Sequence, residues 1–435
     1  MSTTPSSPAA EPAAPAGRLA PLAALRYRDF RLLWIGQLIA VTGSQMRTVA
    51  INWQVFELAR ASGMIDAALA LGLIGLSRVI ALVLVAPISG MFADRLDRRK
   101  VLIVSSLVGL LCSAILATLS WAGTPSIWVI YAMVTGASIA NAFDMPARQA
   151  LIPSLVPPAR LPNALSLNII AWQLATVVGP SIAGIMIAWA GVAPIYTYDA
   201  ISFLGIITAL LLMRTTPPPA PATKRPGLHE ALEGLRFVLR HRLIASTMVL
   251  DFFATLFGAA TTLMPIFAVQ ILNVGPLELG WMYSATAAGA MLAALVLSAV
   301  TIPHQGKVLL VAVALFGVCI SIFGLSRSLP LSMLALAGAG ASDTISMVIR
   351  GSMRQLLTPN ELRGRMTAVN MVFFAGGPQL GEFQAGLLAS LITAPIAVGI
   401  GGILCVITVA ATAARVPELR NYYGPTDTES EERHA

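Results

Sequence analysis

Charge is scarce in this sequence: only 11% of its 435 residues are Asp, Glu, Lys or Arg, against about 25% in an ordinary soluble domain. With 57% hydrophobic residues and a mean hydropathy of +0.79, too little polar material exists to cover a water-facing surface. Cysteine and histidine are scarcer still. Cys112, Cys319 and Cys405 stand singly inside apolar blocks, which is neither a disulfide framework nor a metal-ligand pattern. His229, His241 and His304 fall between the blocks and His434 in the C-terminal tail. No metal centre, no catalytic residue and no cofactor is therefore expected, and an intramembrane enzyme lacks its nucleophile and base. No Gly-x-x-x-x-Gly-Lys-Ser/Thr phosphate loop occurs, nor an apolar leader that reads as a cleavable signal, nor an appended soluble domain such as a sensor would carry. The net charge of +8 sits between apolar blocks without interleaved aromatics, which argues against nucleic acid as a partner.

What is present is a series of apolar blocks of the length, about 20 residues, that crosses a hydrocarbon core. Backbone groups inside a bilayer must be paired within the segment, so each block is expected to be an α-helix, and the alternation of a β-barrel is missing. The expected helices cover 32–58, 68–93, 100–121, 126–147, 163–190 and 193–213, then 244–271, 277–302, 307–326, 330–349, 366–391 and 394–414. The fold class is thus an all-α membrane protein of twelve transmembrane helices in two six-helix halves, 26–213 and 244–415. Residues 1–25 read as a disordered tail and 416–435 as a second tail. The linker 214–243 opens Pro-rich and continues with Leu228, Leu232, Leu235 and Leu239 at helical spacing, the pattern of a surface-lying amphipathic helix. Placing both termini in the cytoplasm leaves four of the 28 Lys and Arg residues away from cytoplasmic segments: Arg47, Arg60, Arg78 and Arg327. That bias sets the expected orientation, with Arg350 and Arg354 counted among the loop residues.

The halves repeat. Sliding the second half back by 202 residues lays Arg350 on Arg148, Pro359 on Pro157, Asn370 on Asn168, Gly381 on Gly179 and Gly386 on Gly184. Two parallel repeats with a substrate path at their interface are a transporter architecture.

Ionisable groups at helix centres cost about 3 kcal/mol each and are functional candidates by default. Arg47 and Arg78 are candidates to attract an anionic or catechol-bearing substrate, with structural pairing of each arginine as the competing reading. Asn52, Trp53, Gln54, Trp172 and Gln173 can supply hydrogen bonds and stacking, or simply hold helices together. Glu382, Asp343 and Asp251 are candidates for proton coupling, because a carboxyl in apolar surroundings is discharged more readily than in water. Glu382 leads, since the repeat puts it where the first half has Pro180.

The loop Gly90-Met-Phe-Ala-Asp94-Arg95-Leu-Asp97-Arg98-Arg99-Lys100 resembles the loop motif of the major facilitator superfamily. The resemblance implies that Gly90, Asp94, Arg95 and Arg98 form a conformational latch between the halves, although Asp97 stands where the family often has glycine. Gly179-Pro180-Ser-Ile-Ala-Gly184 partly resembles the glycine-proline motif of the superfamily's exporters. Thr42-Gly43-Ser44, Asn52-Trp53-Gln54-Val55-Phe56-Glu57 and Phe143-Asp144-Met-Pro146-Ala147-Arg148 are similar to an efflux branch that includes enterobactin (catecholate siderophore) exporters and macrolide efflux proteins. The resemblance implies a secondary exporter in a bacterial inner membrane, moving a small molecule by alternating access and proton antiport. A catecholate siderophore such as enterobactin is the expected cargo, and multidrug or macrolide efflux is the alternative. The implied partners are the small-molecule substrate, the lipid bilayer, protons and an outer-membrane channel downstream.

Overall fold

The computed structural model describes residues 22–93, 97–214, 236–238, 240–300, 302–359 and 362–424. Twelve long helices form among the described residues. They are α1 (Arg28–Ser62), α2 (Ala67–Ala93), α3 (Arg98–Trp121), α4 (Ile127–Leu151), α5 (Leu161–Ala190) and α6 (Ala193–Leu212), followed by α7 starting at Arg242–Phe257, α8 (Pro276–Leu297), α9 (Gln305–Leu325), α10 (Leu329–Leu357), α11 (Arg363–Leu391) and α12 (Ala394–Arg415). Among the described residues, ten helical stretches are long and apolar enough to cross a membrane. α1 and α11 fall outside that set because they carry Arg47, Asn52, Gln54 and Glu57, and Gln379, Glu382 and Gln384, respectively. The expected surface helix over 228–242 lies largely outside the described residues, with 236–238 helical.

Three departures from the sequence expectation bear on the charged interior. α10 continues to Leu357 and α4 to Leu151, so Arg350, Arg354 and Arg148 sit inside helices rather than in loops. Their helices outrun the apolar block because the last turns bury one face only. α7 is not continuous: it breaks at 258–260 and resumes as a 3₁₀ turn, one helical turn and the π turn Phe267–Ile271. Pro265 accounts for part of this, having no N–H to give the Thr261 carbonyl four residues back; the Tyr283 hydroxyl donates to that carbonyl instead, at 3.0 Å.

The sequence repeat is a packing repeat. In the first half α1 packs on α5 and α6, α3 on α4 and α6, and α2 on α4; in the second, α7 packs on α11 and α12, α9 on α10 and α12, and α8 on α10. The halves meet through α2 against α11 and α5 against α8, which the same repeat relates to each other. The duplicated glycines explain themselves here. A Cβ on Gly179 would lie 3.2 Å from the Thr42 carbonyl of α1, and one on Gly381 2.6 Å from the Thr255 carbonyl of α7. One turn on, a Cβ on Gly184 would lie 2.9 Å from Cα of Gly280 on α8, and one on Gly386 would run into Cα of Gly72 on α2. These crossings let backbones touch, as small residues do in membrane interfaces.

Both glycine crossings lie in the half of the bundle bounded by the short connections 63–66, 191–192, 272–275 and 392–393. The bundle is sealed at that end. Gly386→Ala is expected to wedge the seal, since the opposing atom is backbone and cannot rotate away; overpacking of this kind costs about 1–3 kcal/mol. Faster maleimide labelling of a single cysteine placed behind the seal is the measurement.

At the opposite end, basic side chains close helix C-termini. Arg98 donates to the Ala150 carbonyl (2.8 Å), Arg99 to Leu211 (3.0 Å) and Arg28 to Leu212 (3.1 Å), placing positive charge on the negative ends of α4 and α6. All three bonds stay within the first half. Of the expected latch, Arg98 is therefore committed to α4, the Gly90 backbone is helical within α2, and Asp94 and Arg95 lie outside the described residues.

Candidate functional site

Among the described residues, three interior ion pairs join different helices. The first belongs to the first half alone. Arg47 of α1 reaches Asp199 of α6 at 3.0 Å and donates to the Ser113 hydroxyl of α3 at 2.9 Å. Ser113 in turn donates to Asp199 at 2.5 Å. Asp199 is fully buried, and the Arg47 guanidinium lies 5.8 Å from the centre of the Phe203 ring, within cation–π range. Gly43, one turn before Arg47, lets α1 close on α6: a Cβ there would fall 2.8 Å from Asp199 Oδ1. Asp199 satisfies the same rule that picks out Glu382, a lone acid inside an apolar block, and the sequence reading overlooked it.

The second pair crosses the halves. Arg78 Nη1 of α2 contacts both carboxylate oxygens of Glu382 on α11, at 3.1 and 2.9 Å. Gly75 opens the space, since a Cβ there would lie 2.7 Å from Glu382 Cβ. The repeat explains why Glu382 faces its partner half: its counterpart Pro180 lies at the α5–α8 crossing, where a Cβ on Gly280 would meet the Pro180 carbonyl at 2.6 Å. Two more bridges accompany the pair. Asn52 Nδ2 donates to the Tyr283 hydroxyl at 2.8 Å, tying α1 to α8 and through Tyr283 to the break in α7. Ser284 donates to the Val177 carbonyl of α5 at 2.7 Å, with the Ser181 hydroxyl also 2.7 Å away.

The third group lies in the second half. Arg350 of α10 is 2.8 Å from Asp251 of α7 and 4.0 Å from Asp343, two turns back on the same face of α10. Asp251 and Arg350 are buried, whereas the Asp343 side chain is 50% exposed although it lies midway along α10. A half-open carboxylate at that depth faces a space, not lipid. The space is a cavity of about 210 Å³ at the α7 break, lined by Asp343 and Glu382 together. The apolar block ends just before Arg350, so its role as partner to two acids is not visible in the sequence.

The remaining sequence candidates divide. Gln54 is internal to the first half, donating to Ser120 at 3.0 Å and accepting from the Tyr196 hydroxyl at 2.8 Å. Trp53 is buried and hydrogen-bonds Glu57. Trp172 is largely exposed on α5, and Gln173 beside it is half-buried. The structure brings Glu382 and Asp343 to one cavity, keeps Asp251 buried against Arg350, and places Arg78 with Glu382 but Arg47 elsewhere. Among the described residues no group of histidine, cysteine or acidic side chains is arranged to hold a metal.

Two repeated six-helix bundles meeting around paired charges define a membrane transporter of the major facilitator fold. The chain belongs to the transmembrane secretion effector family, whose sequence pattern matches residues 19–432. It is 24% identical over 405 residues to the enterobactin exporter EntS of Citrobacter koseri, covering 91% of this chain and 94% of that protein. It is 26% identical over 377 residues to EntS of Shigella boydii, with 85% and 86% covered. Among solved structures, a bacterial homologue of the human lysosomal transporter Spinster superposes with a TM-score of 0.67 at 15% identity, over 91% of this chain and 96% of that one; this likeness concerns the fold.

Proposed function

We propose that the protein exports a catecholate siderophore across a bacterial inner membrane by proton antiport, and that the sealed end faces outward with both termini inside. The observation that carries the reading is the Arg78–Glu382 pair, which joins the two halves immediately beneath the glycine seal. Rocking the halves apart at that end separates α2 from α11 and must break the pair. An ionised, otherwise unoccupied Glu382 holds Arg78 and keeps the seal closed. A proton on Glu382 removes its charge and frees Arg78; a cargo that donates hydrogen bonds to Glu382 competes for the same carboxylate. Each occupant therefore releases the lock, the two exclude each other, and the empty carrier stays closed. That rule is sufficient for antiport. Arg78 and Glu382 are the coupling residues in this scheme, with Tyr283 and Asn52 transmitting the change to the α7 break, and Arg47 reserved for the first half's own cohesion.

The cargo reading is supported by the relatives named enterobactin exporter, which match this chain over most of its length. Its test is secretion: express the chain in a host lacking its own exporter and measure catecholate inside and outside the cell under iron limitation. Chain-dependent secretion is expected; its absence, with raised resistance to macrolides or dyes, gives the assignment to drug efflux. That second reading has an observation in its favour. Arg47 and Arg78 are each neutralised by an acid, so neither stands as a free cation to repel a cationic drug.

A further inference from the structure

The cavity at the α7 break has a one-sided chemistry. Of its polar side chains, Asp343 and Glu382 are carboxylates and Thr255, Thr261 and Thr286 are hydroxyls, and among the described residues no Lys or Arg lines it. Thr255 spends its proton on the Asp251 carbonyl at 2.8 Å and Thr286 on the Met282 carbonyl at 3.5 Å, which leaves their oxygens as acceptors. Glu382 is held by Arg78. Arg350 is held by Asp251 at 2.8 Å and stands 4.0 Å from Asp343; Asp343 is thus the acid with oxygen capacity to spare, open to the cavity. The rest of the wall is apolar, with the Phe316 ring of α9 among it. At about 210 Å³ the space is smaller than the roughly 300–1,000 Å³ of a drug-sized pocket, so it takes one ring-sized portion of a ligand.

An acceptor-lined pocket selects hydrogen-bond donors. Aromatic hydroxyls keep their protons at neutral pH, as tyrosine does with a pKa of about 10, so a metal-free catechol arrives as a neutral pair of adjacent donors rather than as an anion. Two adjacent donors match the two oxygens of a carboxylate, and the ring matches an apolar wall with an aromatic face. We propose that this cavity seats one dihydroxyaromatic ring of the cargo, its hydroxyls donating to Asp343, and that acceptors rather than arginines recognise the substrate. The inference rests on the catecholate reading given above and names the site for it. It also places cargo beside Glu382, where competition with the proton has to occur.

The full chain in lipid nanodiscs, titrated with N-methyl-2,3-dihydroxybenzamide and with its dimethyl ether, tests the assignment. Wild type is expected to bind the free diol at least about tenfold more tightly than the ether, the loss associated with hydrogen bonds to a charged group. Asp343→Asn, monodisperse by size exclusion, is expected to lose about tenfold for the diol and to leave the ether unchanged. Equal affinity of wild type for diol and ether, or an undiminished diol affinity in Asp343→Asn, overturns the site. So does Asp343-dependent binding of phenethylamine without binding of the diol, which makes it a cation pocket. If Asp343→Asn does not fold, the diol–ether comparison on wild type decides alone. Enterobactin counterflow by wild-type proteoliposomes separates the two levels. Counterflow alongside a failed binding test removes this site and leaves the exporter reading standing, whereas no counterflow removes both.

Discussion

Glu382→Gln protein is expected to reach the membrane folded and to lose proton-driven accumulation of cargo. One pH unit is worth about 1.4 kcal/mol per proton, so a one-proton antiporter sustains a cargo ratio of about tenfold per unit of gradient. Wild-type proteoliposomes should approach that ratio and the variant should stay near unity, because glutamine carries no charge to hold Arg78 and no proton to exchange. The sign is fixed by the pair itself. Arg78 stabilises the sealed state only through the Glu382 carboxylate, so the sealed population falls when that charge is removed. Glutamine removes it permanently, and the variant is expected to populate the open state. Arg78→Met should open the seal in the same way while keeping Glu382, which separates loss of the lock from loss of the proton site.

Asp199→Ala is expected to have the largest effect on stability. It strands the Arg47 guanidinium, which is 14% exposed beside a fully buried partner, and removing one member of a buried pair costs about 3–5 kcal/mol. Against a total of about 5–15 kcal/mol for a folded protein, little folded material should remain by fluorescence-detected size exclusion. Replacing both members, Arg47→Met with Asp199→Leu, should restore much of it, since apolar residues of similar volume substitute for buried pairs at small cost. Full recovery with export intact would show that this pair serves the fold. The result also bears on Arg47→Ala as a probe of substrate binding. That substitution uncovers Asp199 and the Ser113 hydroxyl bound to it, so lost secretion would report a damaged first half.

Much of the architecture is legible in the sequence because the bilayer enforces it. Apolar blocks of fixed length become helices, and Gly179, Gly184, Gly381 and Gly386 can be laid on one another before any coordinates are known. Their meaning emerges only in packing: Gly184 and Gly386 carry the two inter-half crossings, and Gly179 and Gly381 the two inside the halves. The charged interior is legible one residue at a time but not in pairs. Glu382 and Arg78 are 304 positions apart, and nothing local marks them as partners. Arg350 was hidden by a different cause, an apolar block ending one residue earlier while the helix continued to Leu357. The break in α7 was hidden by its own residues. Ala259 and Ala260 are strong helix formers, and the interruption comes from Gly258 and Pro265 with Tyr283 supplying the missing donor.

The central claim, that Glu382 bound to Arg78 locks the outer seal, is tested most directly by electron–electron distance measurement between spin labels at Thr124→Cys and Arg327→Cys. Both sites lie at the sealed end in different halves, and the native cysteines 112, 319 and 405 are buried. Wild type in nanodiscs should give one short distance, and Glu382→Gln and Arg78→Met should each add a longer one. A Glu382→Gln protein that stays closed as wild type does would contradict the account.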